Sequence, residues 1–195
     1  MPDRVRGLKG CVPFPLINLT FPRRGTMAEL TPSQTIGPFF YDGLSWAMDG
    51  DARRDFGVPV VRITGRVLDS EGVPVPDALV EVWQPDLAAA AWPGARLPGF
   101  QRADTRRAGR FEFWVARPEK AATFASVTLF ARGLLRELHT RVYVPLAGAE
   151  FAELPSEVPA DRARTLVATP VGSTGETFEW DIVLQGARET VFFEF

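Results

Sequence analysis

The side chains that could carry out chemistry are few in this chain. It contains one histidine (His139), two tyrosines (Tyr41 and Tyr143) and one cysteine (Cys11). A mononuclear metal site needs three or four donor atoms of suitable softness on converging elements. One histidine and two tyrosines cannot supply a site that is rich in both residue types, and a lone cysteine excludes a thiolate site. We therefore predict that the chain binds no metal itself and shapes a site whose reactive groups come from another molecule.

Other catalytic patterns do not match the sequence either. There is no G-x-S-x-G nucleophile turn and no D-x-D-x-D-G calcium loop. The glycine-containing stretch Gly172–Gly175 leads into a strand pattern, so we interpret it as a turn and not as a phosphate-binding loop. His139 lies in a strand pattern and has no evident acidic partner nearby in the sequence. We predict a structural or interface histidine there, with a general base or a metal ligand as the alternative.

The segment Thr31–Phe40 (TPSQTIGPFF) is more specific. Its two prolines restrict the backbone angles, and Gly37 permits close approach of another group. One interpretation is a rigid arm that packs Phe39 and Phe40 onto the domain. The other is a preformed wall whose backbone groups line a pocket.

Arg132 stands at the end of a strand pattern, directly before Gly133. A solvated surface arginine is the simplest interpretation. A guanidinium held at a turn could also form a two-pronged contact with a planar carboxylate. Arg132 is therefore a candidate for contact with an acidic ligand.

The composition predicts one globular domain with an extension. The chain has 195 residues, 46% of them apolar, and its fifteen Phe and five Trp can fill a core. A net charge of −2 without a basic half argues against nucleic-acid binding. The sequence contains no apolar run of about 18 residues, so it predicts no membrane span. The lone cysteine favours a cytoplasmic setting. We interpret residues 1–26 as a disordered or mis-assigned leader.

From residue 59 onward, alternating apolar and polar residues predict strands. In the first of them, Val61, Ile63 and Val67 share one face. The further predicted strands are Ala78–Trp83, Arg110–Val115, Thr123–Phe130, Leu138–Val144, Glu176–Leu184 and Val191–Phe195. We predict a loop over Leu87–Phe100 and one short helix over Pro159–Ala168.

Short strands at spacings of about 8–12 residues, separated by turn signals, are typical of a β-sandwich. The alternation of apolar and polar faces suits antiparallel pairing with one solvated side. We therefore predict an all-β fold, an antiparallel β-sandwich over residues 59–195 with one short helix. Residues 27–58, in which Gly and Pro recur at intervals, are predicted to form an N-terminal arm laid over the sandwich.

Four motifs carry a family resemblance. They are the arm Thr31–Phe40, the strand end Glu81–Asp86 (EVWQPD), the strand Leu129–Gly133 (LFARG) and the closing Glu189–Phe195 (ETVFFEF). In this order they resemble the protocatechuate 3,4-dioxygenases, and the alpha chains of that family in particular. The resemblance covers the chain from Thr31 to Phe195 and leaves residues 1–26 outside.

The resemblance implies a β-sandwich of the intradiol ring-cleavage dioxygenases, whose catalytic chains hold a non-haem ferric ion with two tyrosines and two histidines. The stretches that match the tyrosine positions are Leu87–Ala91 and Ala116–Ala122, and neither contains a tyrosine. Phe124 and Ser126 stand where the two histidines would. The resemblance thus implies an alpha chain that binds no iron and pairs with an iron-bearing beta chain.

The function implied by the resemblance is that of a subunit in a higher-order alpha–beta assembly. Such an assembly cleaves protocatechuate, a small aromatic acid, with O2 to 3-carboxy-cis,cis-muconate in the beta-ketoadipate pathway, with Fe(III) held by the beta chain. The residues that the resemblance places along the substrate pocket are Thr35, Gly37, Pro38, Phe39 and Arg132. Phe39 stands where an alpha-chain tyrosine is often found, so a hydroxyl contact is lost there. Arg132 is expected at the pocket edge, although the beta chain could bind the substrate carboxylate instead.

Two other hypotheses are open. The chain could be a non-catalytic β-sandwich binding module whose arm and Arg132 recognise another protein or a small acid. It could also be a complete enzyme with unusual metal ligands, which the single histidine argues against.

Overall fold

A computed structural model describes residues 37, 42–48, 58–84, 99–117, 123–145, 154–155 and 157–194. Within these residues most of the regular secondary structure is β-strand. The strands are β1 (Val60–Leu68), β2 (Ala78–Trp83), β3 (Phe100–Asp104), β4 (Arg110–Ala116), β5 (Thr123–Ala131), β6 (Leu138–Val144), β7 (Thr169–Val171), β8 (Thr177–Glu179) and β9 (Ile182–Val183). None of the helices in this part of the chain has both the length and the apolarity needed to cross a membrane.

The first sheet is organised around β1. Strand β4 pairs with it antiparallel over seven residue pairs, from Val60 opposite Ala116 to Arg66 opposite Arg110. On the other side of β1, strands β8 and then β9 run parallel to it. Strand β7 pairs antiparallel with β8 and forms the outer edge. These parallel pairs depart from the predicted purely antiparallel arrangement.

The second sheet has the order β3-β2-β5-β6, and each neighbouring pair is antiparallel. Strands β5 and β6 form a hairpin whose turn contains Gly133 with φ +93°, a left-handed conformation that favours glycine. The C-terminal segment reaches the free side of β6, where the Phe193 N–H donates to the carbonyl oxygen of His139 at 2.8 Å. Strand β6 therefore gains a backbone neighbour from the end of the chain.

The hydrophobic core lies between the two sheets. Both contribute buried aliphatic residues on alternate positions, which is the pattern expected for strands packed on one face. Phe111 and Phe113 of β4 stack at 5.6 Å, and Trp180 meets Phe111 edge-on at 6.2 Å. The Trp180 Nε1 donates to the Thr165 carbonyl oxygen at 2.9 Å, so its polar edge is satisfied inside the apolar layer.

The predicted β-sandwich is confirmed, and several strands match closely. Strands β2 and β6 have the predicted bounds, and β4 and β5 each extend one residue beyond theirs. The predicted single strand over Glu176–Leu184 is instead two strands, separated at Trp180 and Asp181. The predicted final strand, Val191–Phe195, has a single β-bridge within its described residues 191–194, between Phe193 and His139.

The predicted helix over Pro159–Ala168 is shorter than expected. An α-helical turn, α1 (Ala160–Ala163), continues as a 3-10 turn over Arg164–Leu166. Val167 is already extended, with φ −104° and ψ 124°, because the chain there joins the end of β6. The Ala168 N–H donates to the carbonyl oxygen of Tyr143 at 2.9 Å, and this tertiary hydrogen bond ends the helix.

Strands β3 and β7 were not predicted. Strand β3 begins at Phe100, the last residue of the predicted loop; the rest of that loop up to Pro98 lies outside the described residues. Two adjacent polar residues of β3, Gln101 and Arg102, are buried, so the strand lacks the apolar–polar alternation that indicates a strand. Strand β7 is a short exposed edge that contains Pro170, which sequence patterns assign to a turn.

Candidate functional site

The strand register defines an outer face of the second sheet. Strand pairing places Trp83, Ser126 and Arg141 in one row across β2, β5 and β6, and Phe124 beside Tyr143 in the next. Residues on this face alternate with the core residues of the same strands, so they point away from the first sheet. Trp83 and Phe124 are large apolar side chains that stay exposed, at 37% and 36%.

A cation and three aromatic rings form a cluster on this face. The Arg141 Cζ lies 5.0 Å from the ring centre of Phe124 and 5.3 Å from that of Phe193. Phe124 also packs against Tyr143, with ring centres 5.5 Å apart. The two distances from Arg141 to the ring centres are within the range of cation–π contact. The cluster therefore places a fixed positive charge between two ring faces.

This cluster occupies the place where the resemblance puts the histidine ligands of a ferric ion. The phenyl ring of Phe124 carries no donor atom, and Ser126 lies directly opposite Arg141 in the strand register. The guanidinium of Arg141 would repel a cation at this position. In the described part of the chain, no group of three or more His, Cys, Asp or Glu lies together. The residues present here do not fit a ferric ion.

The two stretches that match the tyrosine positions are largely outside the described residues. All of Leu87–Ala91 is outside them, and in Ala116–Ala122 only Ala116 and Arg117 are described. The expectation that this chain binds no iron therefore remains a prediction.

His139 belongs to the same outer face. Its Nδ1 is 3.3 Å from the Thr128 Oγ1, and its Nε2 is 3.7 Å from a carboxylate oxygen of Glu137. The expectation that no acidic partner is near was wrong. Glu137 precedes His139 by two residues, and an i, i+2 spacing along a strand places two side chains on one side. The backbone of His139 also pairs with that of Phe193. The structural or interface role of its side chain stays a prediction.

Arg132 lies directly after β5, at the turn that leads to β6. Its Nε is 2.9 Å from a carboxylate oxygen of Asp77, while its side chain remains 79% exposed. Arg132 follows Phe124 by eight residues, which along a strand is a separation of about 26 Å. Arg132 is therefore far from the Phe124 cluster. A pocket lined by Arg132 would lie away from the place where this chain lacks the histidine ligands.

The predicted arm is only partly described. Gly37 is exposed, and no atom of the described residues lies within 4 Å of the point where a Cβ would stand. Thr35, Pro38 and Phe39 lie outside the described residues. Asp42–Leu44 and the 3-10 turn Ser45–Met48 are described, and the turn lies against β3.

Comparison with known proteins gives the family. No family model matches the chain. A protocatechuate 3,4-dioxygenase alpha chain from Burkholderia cepacia is 32% identical over 196 residues, covering 87% of this chain and 99% of that protein. The chain belongs to the protocatechuate 3,4-dioxygenase alpha-chain family. The alpha chain from Pseudomonas putida is also 32% identical, over 85% of this chain and 96% of its own length.

A solved structure supports the fold of this alpha-chain family member. The dioxygenase domain of a dioxygenase–carbohydrate-binding protein fusion from Streptomyces sp. SirexAA-E has a TM-score of 0.50. It shares 18% sequence identity over 70% of this chain and 83% of that domain. The predicted family resemblance and the predicted β-sandwich are both confirmed.

One polar group on the outer face was missed by sequence reasoning. Arg102 of β3 lies opposite Glu81 of β2, and its side chain is 4% exposed. Its Nε donates to a Glu81 carboxylate oxygen at 2.9 Å, and its Nη1 donates to the Gly43 carbonyl oxygen at 2.6 Å. The sequence shows the opposite charges of Glu81 and Arg102. Their contact depends on the register between β2 and β3, and β3 was not predicted.

Proposed function

We propose that this chain is the non-iron-binding alpha subunit of a protocatechuate 3,4-dioxygenase. It pairs with an iron-bearing beta chain and helps the intradiol cleavage of protocatechuate by O2 to 3-carboxy-cis,cis-muconate. The observation that carries the proposal is the Phe124–Arg141–Phe193 cluster at the position of the missing histidine ligands. A chain of this family that holds a cation there depends on another chain for its ferric ion.

The proposed contribution of this chain is to close and shape the substrate pocket of the partner. Thr35, Gly37, Pro38 and Phe39 of the arm form one wall, and Arg132 stands at the edge. The exposure of Gly37 supports this role, because the described residues leave room for another molecule to approach the backbone there. Positioning a substrate and excluding water lower a reaction barrier even when the metal belongs to another chain.

Arg132 is proposed to attract the carboxylate of the aromatic acid. Asp77 contacts the Nε of Arg132, and the exposure of the side chain lets the guanidinium reach a second carboxylate. A planar guanidinium binds a carboxylate more strongly and with better defined geometry than an ammonium group does. Lysine at this position is therefore an incomplete substitute.

The test is oxygen consumption with protocatechuate, measured for this chain alone, the beta chain alone and the two chains co-expressed. We expect turnover only when both chains are present. Turnover by the beta chain alone at the rate of the assembly would contradict the proposed role and favour a binding module.

Arg132 is tested in the same assembly. Arg132→Ala should raise KM for protocatechuate about 10-fold to 100-fold, the loss expected for a charged hydrogen bond, and Arg132→Lys should raise it less. Asp77→Asn is the matched control, because it removes the ion pair and keeps the guanidinium. A KM that Arg132→Ala leaves unchanged would show that the partner chain binds the carboxylate.

A further inference from the structure

Arg102 connects the arm to the sandwich. One edge of its guanidinium, Nε and Nη2, donates to a single carboxylate oxygen of Glu81, and Nη1 donates to the carbonyl oxygen of Gly43. Glu81 and Arg102 lie opposite each other on β2 and β3, so both side chains start from a rigid sheet. Gly43, by contrast, belongs to the segment that precedes the first strand.

Burial makes this contact more than a surface ion pair. The Arg102 side chain is 4% exposed and that of Glu81 is 19% exposed. Removing one partner of a shielded ion pair leaves an uncompensated charge, which costs far more than the loss of an exposed pair. The pair therefore holds its geometry, and the Gly43 carbonyl is held with it.

The backbone next to this contact is strained. Leu44 has φ +57°, a left-handed conformation that is unfavourable for a residue with a Cβ. Such conformations persist where the surroundings fix the chain on both sides. Arg102 holds the Gly43 carbonyl on one side, and on the other the N–H of the buried Ala47 donates to the Leu44 carbonyl oxygen at 2.8 Å.

We propose that Arg102 and Glu81 form a clamp that positions the arm, with Arg102 as the positioning residue. The clamp fixes the chain at Gly43 and Leu44, six and seven residues after Gly37. The direction in which the chain leaves this point sets where the preceding pocket wall stands. The effect on the reaction rests on the proposed function, whereas the effect on the arm does not.

The clamp is tested by hydrogen–deuterium exchange of residues 42–48 in the alpha–beta assembly. Arg102→Gln should speed the exchange of this segment about 10-fold or more, because a charged hydrogen bond is lost. Glu81→Gln should have a smaller effect, since Arg102 keeps its hydrogen bond to Gly43. If Arg102→Gln fails to assemble, Arg102→Lys and Glu81→Gln carry the same comparison.

The matched control is Arg62→Gln. Arg62 also pairs with a glutamate on a neighbouring strand, Glu112, but in the first sheet and at 47% side-chain exposure. This variant should leave the exchange of residues 42–48 unchanged. Equal exchange of that segment in Arg102→Gln and the wild type would overturn the clamp.

Kinetics separate the clamp from the proposed pocket. If the arm forms a pocket wall, Arg102→Gln should raise KM for protocatechuate about 10-fold and change kcat by less than about twofold. The reason is that binding of the substrate and binding of the transition state are weakened equally. Faster exchange with an unchanged KM would keep the clamp and overturn the role of the arm as a pocket wall.

Discussion

A single methyl group added at Gly65 should destabilise the fold strongly. Gly65 lies in β1 where Trp180 crosses between β8 and β9. An ideal Cβ there would stand 1.8 Å from the carbonyl oxygen of Trp180, 2.7 Å from its carbonyl carbon and 2.8 Å from the Cζ of Phe111. The Phe111 ring can move, but the Trp180 backbone is held by its N–H, which donates to the Thr64 carbonyl oxygen at 2.9 Å.

The expected cost of Gly65→Ala has two parts. Overpacking of a well-packed core costs about 1–3 kcal/mol, and weakening the Trp180 hydrogen bond adds about 1 kcal/mol. The free energy of unfolding should therefore fall by about 2–4 kcal/mol. For a chain of this length such a loss lowers the melting temperature by about 5–15 °C.

The assay is thermal unfolding followed by tryptophan fluorescence, with each variant compared with the wild type in the same preparation. Gly37→Ala is the matched control, because none of the described atoms lies within 4 Å of its added Cβ and its backbone is not left-handed. The control should melt within about 2 °C of the wild type, as surface changes usually do. A Gly65→Ala variant that also melts this close to the wild type would refute the packing described around Trp180.

Two further substitutions test buried hydrogen bonds. Thr105→Val should lower the free energy of unfolding by about 1–3 kcal/mol in urea denaturation, because the buried Thr105 hydroxyl accepts the Ala78 N–H at 2.9 Å. Thr105→Ser keeps a hydroxyl, so its free energy of unfolding should fall less. Equal losses of stability in the two variants would contradict a contribution from this hydrogen bond. Gln101→Leu should cost about 2–3 kcal/mol, because the Gln101 Oε1 accepts the Trp114 N–H at 2.8 Å and its Nε2 donates to the Trp114 carbonyl oxygen at 2.5 Å. A leucine variant as stable as the wild type would show that these bonds between β3 and β4 contribute little.

The predictable part of the fold is the part with local periodicity. Strands β2 and β6 alternate inward and outward residues, and their bounds were predicted without error. Strand β3 was missed because Gln101 and Arg102 are polar and yet buried. Their hydrogen-bond partners, Trp114 and Glu81, lie on other strands, so no local sequence pattern indicates that Gln101 and Arg102 are buried.

Strand direction was also beyond the reach of local patterns. The alternation around Phe178 indicates a half-buried strand, and Phe178 is buried as predicted. Whether that strand runs parallel or antiparallel to β1 depends on the path of the chain between them. The structure shows Phe178 beside Ile63 in a parallel pair.

The candidate site was predictable where a motif marks it. The A-R-G motif placed Arg132 at a strand end, where the structure has it, and the family resemblance pointed to Phe124 and Ser126. The second ring around Arg141 comes from Phe193, which is 52 residues further along the chain and adjacent only in the fold. The hydrogen bond between Arg102 and Gly43 is likewise a tertiary contact, and neither the A-R-G motif nor the family resemblance indicates it.

The most direct test of the account is the iron content of this chain, purified alone and purified with a beta chain. Elemental analysis and the visible absorption of tyrosinate-bound iron should show a colourless, iron-free chain alone and a coloured, iron-containing assembly. Iron that stays with the isolated chain, and is lost in a His139→Gln or Tyr143→Phe variant, would contradict the account.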